Sequence, residues 1–206
     1  MAFQQLQHPL IEHELGTLRQ KDCPPHLFRQ SVRRIAMLMT PFLTQEFASI
    51  LKEIETPLEK VDCQFLQAPI VLVPILRAGL GFLDGFLDVI PQASVAHIGL
   101  RRNETTLQPQ TYYTNLPSNI GDCEIILLDP MLATGGSAIA AVKQLRSAGA
   151  QRIRFACLVA APEGVECFMN ECPDVPVFTA ALDRCLNERG YILPGLGDAG
   201  DRLFGT

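Results

Sequence analysis

The chain has 206 residues, 48% hydrophobic and 19% charged, with a formal net charge of −5. That length suits one domain with a buried core, and the composition excludes a disordered polyelectrolyte. The negative balance argues against a nucleic-acid-binding face, and no run approaches the roughly 18 uninterrupted apolar residues of a membrane span.

The start, MAFQQLQHPL, has no apolar signal core. Residues 9–22 and 25–40 read as helices, the second from Phe28, Val32, Ile35, Met39 and Phe42 at helical spacing. Thr40-Pro41 reads as an N-cap followed by proline at the first helical position. A further helix is therefore expected over 41–55, with Phe42, Phe47, Ile50, Leu51 and Ile54 on its apolar face.

From residue 69 short aliphatic runs alternate with helical stretches. Strands are expected at 70–76 (IVLVPIL), 94–100, 124–129 (EIILLD), 153–160 and 175–182, with helices near 79–88, 136–147 and 163–170. This alternation predicts an α/β fold, a mostly parallel twisted sheet flanked by helices, whose ligands bind beyond the carboxyl ends of the strands. The chain reads as a single domain over 1–206, with an N-terminal helical arm (1–56), a polar hood or lid (100–117) and a glycine-rich tail (191–206).

Seven cysteines (23, 63, 123, 157, 167, 172, 185) are scattered without a CxxC pair. An odd count without a secretory signal predicts reduced thiols and a cytoplasmic setting. The four histidines (8, 13, 26, 97) do not cluster with cysteines, so no zinc site is expected.

Four loops can carry chemistry. In LLDPMLATGGSAIAAV a strand delivers Asp129 to a small-residue turn and Ser137 opens a helix. Unpaired amides at a helix start attract a phosphate, and glycines let it approach the backbone. Asp129 would repel that phosphate and suits neutral sugar hydroxyls instead, so a phosphosugar meets both demands; the plain alternative is an ordinary βα turn with an N-cap serine. In VPILRAGLG, Arg77 at a strand's end can grip phosphate oxygens in bidentate fashion, or be a surface arginine beside a tight turn. LRRNETTLQPQTYYTNLP suits either a lid or an exposed hairpin. In YILPGLGDAGDRLFGT, Gly195, Gly197, Gly200 and Gly205 suggest an ordered irregular backbone whose N–H and C=O groups match the edge of a pyrimidine, or a turn that packs the terminus.

Together DPMLATGGS, PILRAGLG, the RNE segment, LVAAPEG and LNERGYILPGLGDAGDRLFGT strongly resemble the uracil phosphoribosyltransferase family, and the likeness extends to HPLIEHELGTLRQKD near the N-terminus. The resemblance implies a type I phosphoribosyltransferase fold. It implies transfer of phosphoribose from phosphoribosyl pyrophosphate (PRPP) to N1 of uracil, giving UMP and pyrophosphate, with Mg2+. By position it implies that Asp129, Pro130, Met131, Leu132, Ala133, Thr134, Gly135, Gly136 and Ser137 surround the ribose and 5-phosphate, and that Arg77 and Arg102 hold the pyrophosphate. Ile192, Gly197, Asp198 and Ala199 would read uracil, with Asp198 near PRPP and a magnesium held mainly by PRPP, through water at most. It further implies a homo-oligomer, dimer or tetramer, and an effector role for GTP in some members.

The chain departs from the family pattern at Arg101, where an aromatic residue is common, and over 41–68, which points to oligomer contacts or regulation rather than to the chemistry. No histidine lies in a motif loop, so Asp198 or water is the expected acceptor of the uracil N1 proton. A UMP-sensing RNA binder is disfavoured by the net charge and by the absence of lysine between residues 61 and 142. A purine would need a larger pocket, and an inactive homologue would not need Asp129, Arg77, Arg102 and Asp198.

Overall fold

The computed structural model describes residues 3–102 and 109–206, with all of their side chains except those of Arg102 and Pro109. In chain order the elements are β1 (Phe3–Gln5), α1 (Pro9–Arg19), α2 (Pro25–Thr44), β2 (Ser49–Glu55), β3 (Lys60–Leu66), β4 (Ile70–Leu76), α3 (Leu80–Val89), β5 (Ser94–Val95), β6 (His97–Arg102) and β7 (Pro109–Asn115). After a 3-10 turn follow β8 (Glu124–Leu128), β9 (Met131–Leu132), α4 (Gly136–Ser147), β10 (Arg152–Ala160), α5 (Pro162–Glu171), β11 (Val177–Leu182), β12 (Cys185–Leu186), β13 (Ile192–Leu193) and α6 (Ala199–Phe204).

The main sheet has the order β1-β11-β10-β8-β4-β6-β7, with β5 beside β4 and β9 beside β10. Its pairs are parallel except β6 with β7. Alternation along each strand feeds two cores. Ile70, Leu72, Ile126, Leu128, Ala156 and Leu158 face α1, α2, α3 and α6. Val71, Val73, Ile75, Ile125, Leu127, Phe155 and Cys157 face α4 and α5. Burial on both faces explains why β4 and β8 read as continuous aliphatic runs. Pro74 is tolerated in a central strand because it falls at the break between the β5 and β6 ladders, which use Val71–Leu72 and Ile75–Leu76.

The N-terminal arm differs from expectation. Pro41 does not start a new helix but lies inside α2, which runs on to Thr44. Its missing N–H forfeits one bond in the last turn. Continuing the stripe Phe28, Val32, Ile35, Met39 to a buried Leu43 outweighs that loss. The chain expected as a helix over 41–55 then turns, and 49–55 becomes β2, paired antiparallel with β3. Ile50, Leu51 and Ile54 satisfy a helical spacing, but Ile50 and Ile54 also satisfy a period of two. They share one face of the hairpin with their cross-strand partners Phe65 and Val61. The helical part of the arm is thus 9–44, not 1–56.

Of the expected hood, β6 and β7 form an antiparallel pair with an irregularity between Gly99 and Leu100. The lid reading over 103–108 lies outside the described residues. Among the described residues no helix is long and apolar enough to cross a membrane.

Candidate active site

The carboxyl ends of β4 and β8 converge on the C-terminal tail. Ala78, Asp129, Met131, Ala133, Gly190, Tyr191, Ile192, Gly197, Asp198, Ala199 and Gly200 line a cleft of about 260 Å³. Three of the four loops picked from the sequence meet here. A larger cavity of about 490 Å³ lies elsewhere, against β1, β11 and the end of α2, among Gln4, Phe42, Gln45, Glu46, Arg154 and Asp174. Its one arginine is already paired with Glu124, and it takes nothing from the strand ends that bear the glycine turn.

Asp129 follows β8 directly. Its Oδ1 accepts a hydrogen bond from the Met131 N–H at 3.4 Å, and burial pushes its carboxyl from 3.8 up to about 7. The adjoining Cys157 thiol is pushed up to about 12, again mainly by burial, and is not a nucleophile. Pro130 and Leu132 turn away from the cleft. The Pro130 carbonyl accepts from Leu158 and Val159, and Leu132 is buried in the α4/α5 core while its carbonyl accepts from Ala161. They stitch the loop to β10, so their side chains hold the turn rather than a ligand.

The turn itself ends at Gly135, whose φ of 84° is one that side-chain-bearing residues rarely adopt. The first bond of α4 runs from the Ile139 N–H to the Gly135 carbonyl. No backbone partner among the described residues takes the amides of Gly136, Ser137 and Ala138. Thr134 and Ser137 are exposed beside them. Behind the turn, Gly164 of α5 lies so close that an added Cβ would sit 2.2 Å from the Ala133 carbonyl oxygen.

Arg77 stands just past β4, two-thirds exposed, with its guanidinium 4.0 Å from Asp201. It does not line the cleft itself, although its neighbour Ala78 does. Gly99 on β6 is in register with Leu76 on β4, so Arg102 ends a strand adjacent to Arg77's. Arg101 is directed to Gln110 at 3.4 Å. Asp198 caps α6 by accepting from the Asp201 N–H at 3.0 Å, which engages Oδ1.

Sequence reasoning missed Ala78, Gly190 and Tyr191 in the lining, and Gly164 behind the turn, while Gly200 was among the tail glycines it singled out. Tyr191 lay within the tail motif. Gly190 is set by an Asx turn in which Asn187 Oδ1 accepts from the Arg189 and Tyr191 amides, a pattern visible in NERGY. Gly164 carries no local signal, because its constraint comes from a distant turn.

A family model described as uracil phosphoribosyltransferase matches residues 5–206. Curated uracil phosphoribosyltransferases from Ligilactobacillus salivarius and Levilactobacillus brevis are 53% and 52% identical over 205 residues, spanning 99% of this chain and 98% of each relative. A solved protein from Aquifex aeolicus superposes with a TM-score of 0.93 at 36% identity, over 99% of this chain and 98% of its own. A purine phosphoribosyltransferase from Pyrococcus horikoshii gives a TM-score of 0.50 at 13% identity over 90% of each chain, a likeness of fold alone.

Proposed function

The chain belongs to the uracil phosphoribosyltransferase family and transfers the phosphoribosyl group of PRPP to uracil, giving UMP and pyrophosphate in pyrimidine salvage; we propose that Asp129, the turn into α4, Arg77, Arg102 and the tail backbone divide that work as follows. The amides of Gly136, Ser137 and Ala138, with the Thr134 and Ser137 hydroxyls and the positive end of α4, hold the 5-phosphate. Asp129 hydrogen-bonds the ribose hydroxyls and, when ionised, faces the positive charge that builds at the anomeric carbon in an oxocarbenium-like transition state. Arg77 and Arg102 receive the charge that develops on pyrophosphate. The backbone of Ile192, Gly197 and Ala199 reads the uracil edge, and Asp198, through the carboxylate oxygen not engaged by Asp201, takes the N1 proton directly or through water.

The observation that carries this reading is the single cleft shared by Asp129, by Met131 and Ala133 at the root of the glycine turn, and by the tail; Thr134 to Ser137 follow Ala133 directly but do not line it. Incubation with PRPP, Mg2+ and each of uracil, cytosine, hypoxanthine and orotate tests it. UMP from uracil and no product from the other bases is expected, and no turnover with any base would overturn it.

Among the described residues no group of three His, Cys, Asp or Glu could hold a metal alone. The cleft's carboxylates are Asp129 and Asp198. That donor set fits a Mg2+ ligated mostly by PRPP oxygens, with Asp198 reached through water. The ion would supply charge neutralisation on the departing pyrophosphate.

The Asp129 carboxyl leads to a pH prediction. Its folded value of about 7 lies above its ordinary 3.8, so the proton is retained in the free protein up to near neutrality. The ionised form is the one that serves the transition state. kcat/KM for PRPP should therefore rise with pH along a limb centred near 7, and Asp129→Asn should lack that limb as well as most of the rate. The stability contribution has the opposite sign: present in full below about 4, it is lost as pH rises through about 7.

A homo-oligomer is also proposed. The β2–β3 hairpin leaves Ile54, Val61 and Phe65 36%, 42% and 40% exposed on one face, and Leu58 at its tip 95% exposed. A two-stranded hairpin without packing on either face is marginal in water, so a second copy is the natural cover. Phe65→Glu with Val61→Lys should lower the sedimenting mass by at least half, and an unchanged mass would remove the hairpin from the interface. The seven free cysteines support a reducing, cytoplasmic setting. GTP as effector rests on the family resemblance, with initial rates measured in its presence and absence as the check.

A further inference from the structure

The segment between β13 and α6, residues 194–198, contributes Gly197 and Asp198 to the cleft, next to Ala199 at the start of α6, yet it belongs to no strand or helix. Gly195 and Gly197 adopt positive φ angles of 63° and 76°. A backbone expected to discriminate pyrimidine edges by its own N–H and C=O groups needs something outside it to fix those directions. Asp183 and Arg19, neither of which lines the cleft, provide it.

Asp183 follows β11 and is tied to the sheet by its own N–H, which donates to the Ala160 carbonyl at 2.8 Å. Its side chain is only 6% exposed. Asp183 Oδ2 accepts from the Gly195 N–H at 2.8 Å. Arg19, the last residue of α1, grips the same carboxylate with both amino groups, Nη2 to Oδ1 at 2.7 Å and Nη1 to Oδ2 at 2.9 Å. Arg19 Nη1 also donates to the Gly195 carbonyl at 2.8 Å. One ion pair, with Asp183 buried and Arg19 28% exposed, thus holds both polar groups of a single residue, two positions before Gly197. The next carbonyl, that of Leu196, accepts from Arg202 Nη1 at 2.8 Å. Arg202 in turn donates to the Gln20 carbonyl at 2.6 Å and lies 4.5 Å over the Phe28 ring, so it too is anchored at the end of α1.

We propose that Arg19 and Asp183 are positioning residues for uracil: their ion pair sets the orientation of the Gly195 peptide and through it the backbone that reads the base. The proposal rests on the assignment of residues 192–199 to uracil. Two physical points favour a positioning role over plain stabilisation. A largely buried ion pair is a poor source of net stability compared with an apolar pair of the same volume, but it fixes geometry well. The pair also contacts the tail at Gly195 and nothing in the phosphate turn, so its effect should separate the two substrates.

The test uses Arg19→Gln, Asp183→Asn and the conservative Arg19→Lys, with uracil and PRPP varied independently. Hydrogen exchange of residues 192–199 is measured on the wild type with and without uracil in the presence of pyrophosphate-free ribose 5-phosphate. Each variant loses one hydrogen bond to Gly195 and the charge pair that orients the other, which should raise KM for uracil about 10-fold and narrow the preference for uracil over cytosine. KM for PRPP should stay within about twofold, and Arg19→Lys should recover part of the loss because it keeps the charge and one donor. Equal rises in both KM values, or a lower Tm with uracil kinetics unchanged, would overturn the proposal. If Arg19→Gln or Asp183→Asn fails to fold, Arg19→Lys is read by the same criteria. Wild-type tail amides that uracil leaves unprotected would overturn the assignment of the tail itself. Protected amides with unaltered variant kinetics would overturn only the role of the pair.

Discussion

Gly164→Ala is expected to lower kcat/KM for PRPP by about 100-fold or more while leaving the protein folded. The added Cβ would lie 2.2 Å from the Ala133 carbonyl oxygen and 2.7 Å from that of Leu132, where real Cβ contacts are essentially never shorter than 3.0 Å. Both partners are backbone, so no side chain can swing aside. Either α5 or the phosphate turn must retreat by close to ~1 Å, and a misplacement of that size at a reacting centre costs on the order of 100-fold. The turn is the more yielding side, because α5 is pinned by Phe168 in the core and by Glu163, whose Oε1 accepts from the Leu186 N–H at 2.9 Å. The loss should fall on PRPP, with the uracil-reading tail untouched. Gly135→Ala makes the comparison sharper. There the Cβ would have 3.2 Å of room to Gly164's carbonyl but a φ of +84°, so it should cost stability of about 1 kcal/mol and displace the turn less. Steady-state kinetics and Tm on both variants separate the two effects, and a Gly164→Ala enzyme with wild-type PRPP kinetics would show that the turn does not hold the phosphate.

The parts of this molecule legible from sequence are those whose determinants are local. β4 and β8 are aliphatic runs bounded by polar residues, and α4 starts at a glycine pair, so their positions follow from short windows. Asp129 and the tail stood out because a carboxylate after a buried strand and clustered glycines are unusual locally. The β2–β3 hairpin was read as helix because Ile50, Leu51 and Ile54 fit a period near 3.6, while its true period of two is broken by Lys52 on the apolar face, where the ammonium lies 5.5 Å from the Phe65 ring. Pro41 misled in the same region, since proline marks a helix start more often than it survives inside one. Gly164 and Arg19 lie in the motifs LVAAPEG and HPLIEHELGTLRQKD, but the roles of Gly164 and of the Arg19–Asp183 pair have no local signal. Their partners are separated by tens to more than a hundred residues, and only the folded sheet brings them together. Local motifs thus identify the groups that touch substrate, and long-range packing decides how firmly those groups are held.

Arg77→Ala tests the catalytic half of the site and should lower kcat/KM for PRPP by about 10- to 100-fold. A charge-assisted hydrogen bond is worth about 1.5–3 kcal/mol, and each 1.36 kcal/mol is a factor of ten in rate. The variant is informative because Arg77 contributes little else. Its side chain is 64% exposed, and its contact with Asp201 is 4.0 Å long with both groups open to solvent, a pairing of negligible structural value. Tm should therefore be unchanged, and any loss of rate belongs to substrate. Asp201 is an unfavourable neighbour for pyrophosphate, which suggests that Arg77 leaves it when PRPP binds. Asp201→Asn should then leave PRPP binding unchanged or strengthen it slightly, in contrast to Arg77→Ala. Arg77→Lys should recover only part of the rate, because an ammonium keeps the charge but cannot span two phosphate oxygens as the planar guanidinium can. Full recovery by lysine would reduce Arg77's role to charge alone, and an alanine variant with wild-type kcat/KM would leave pyrophosphate to Arg102.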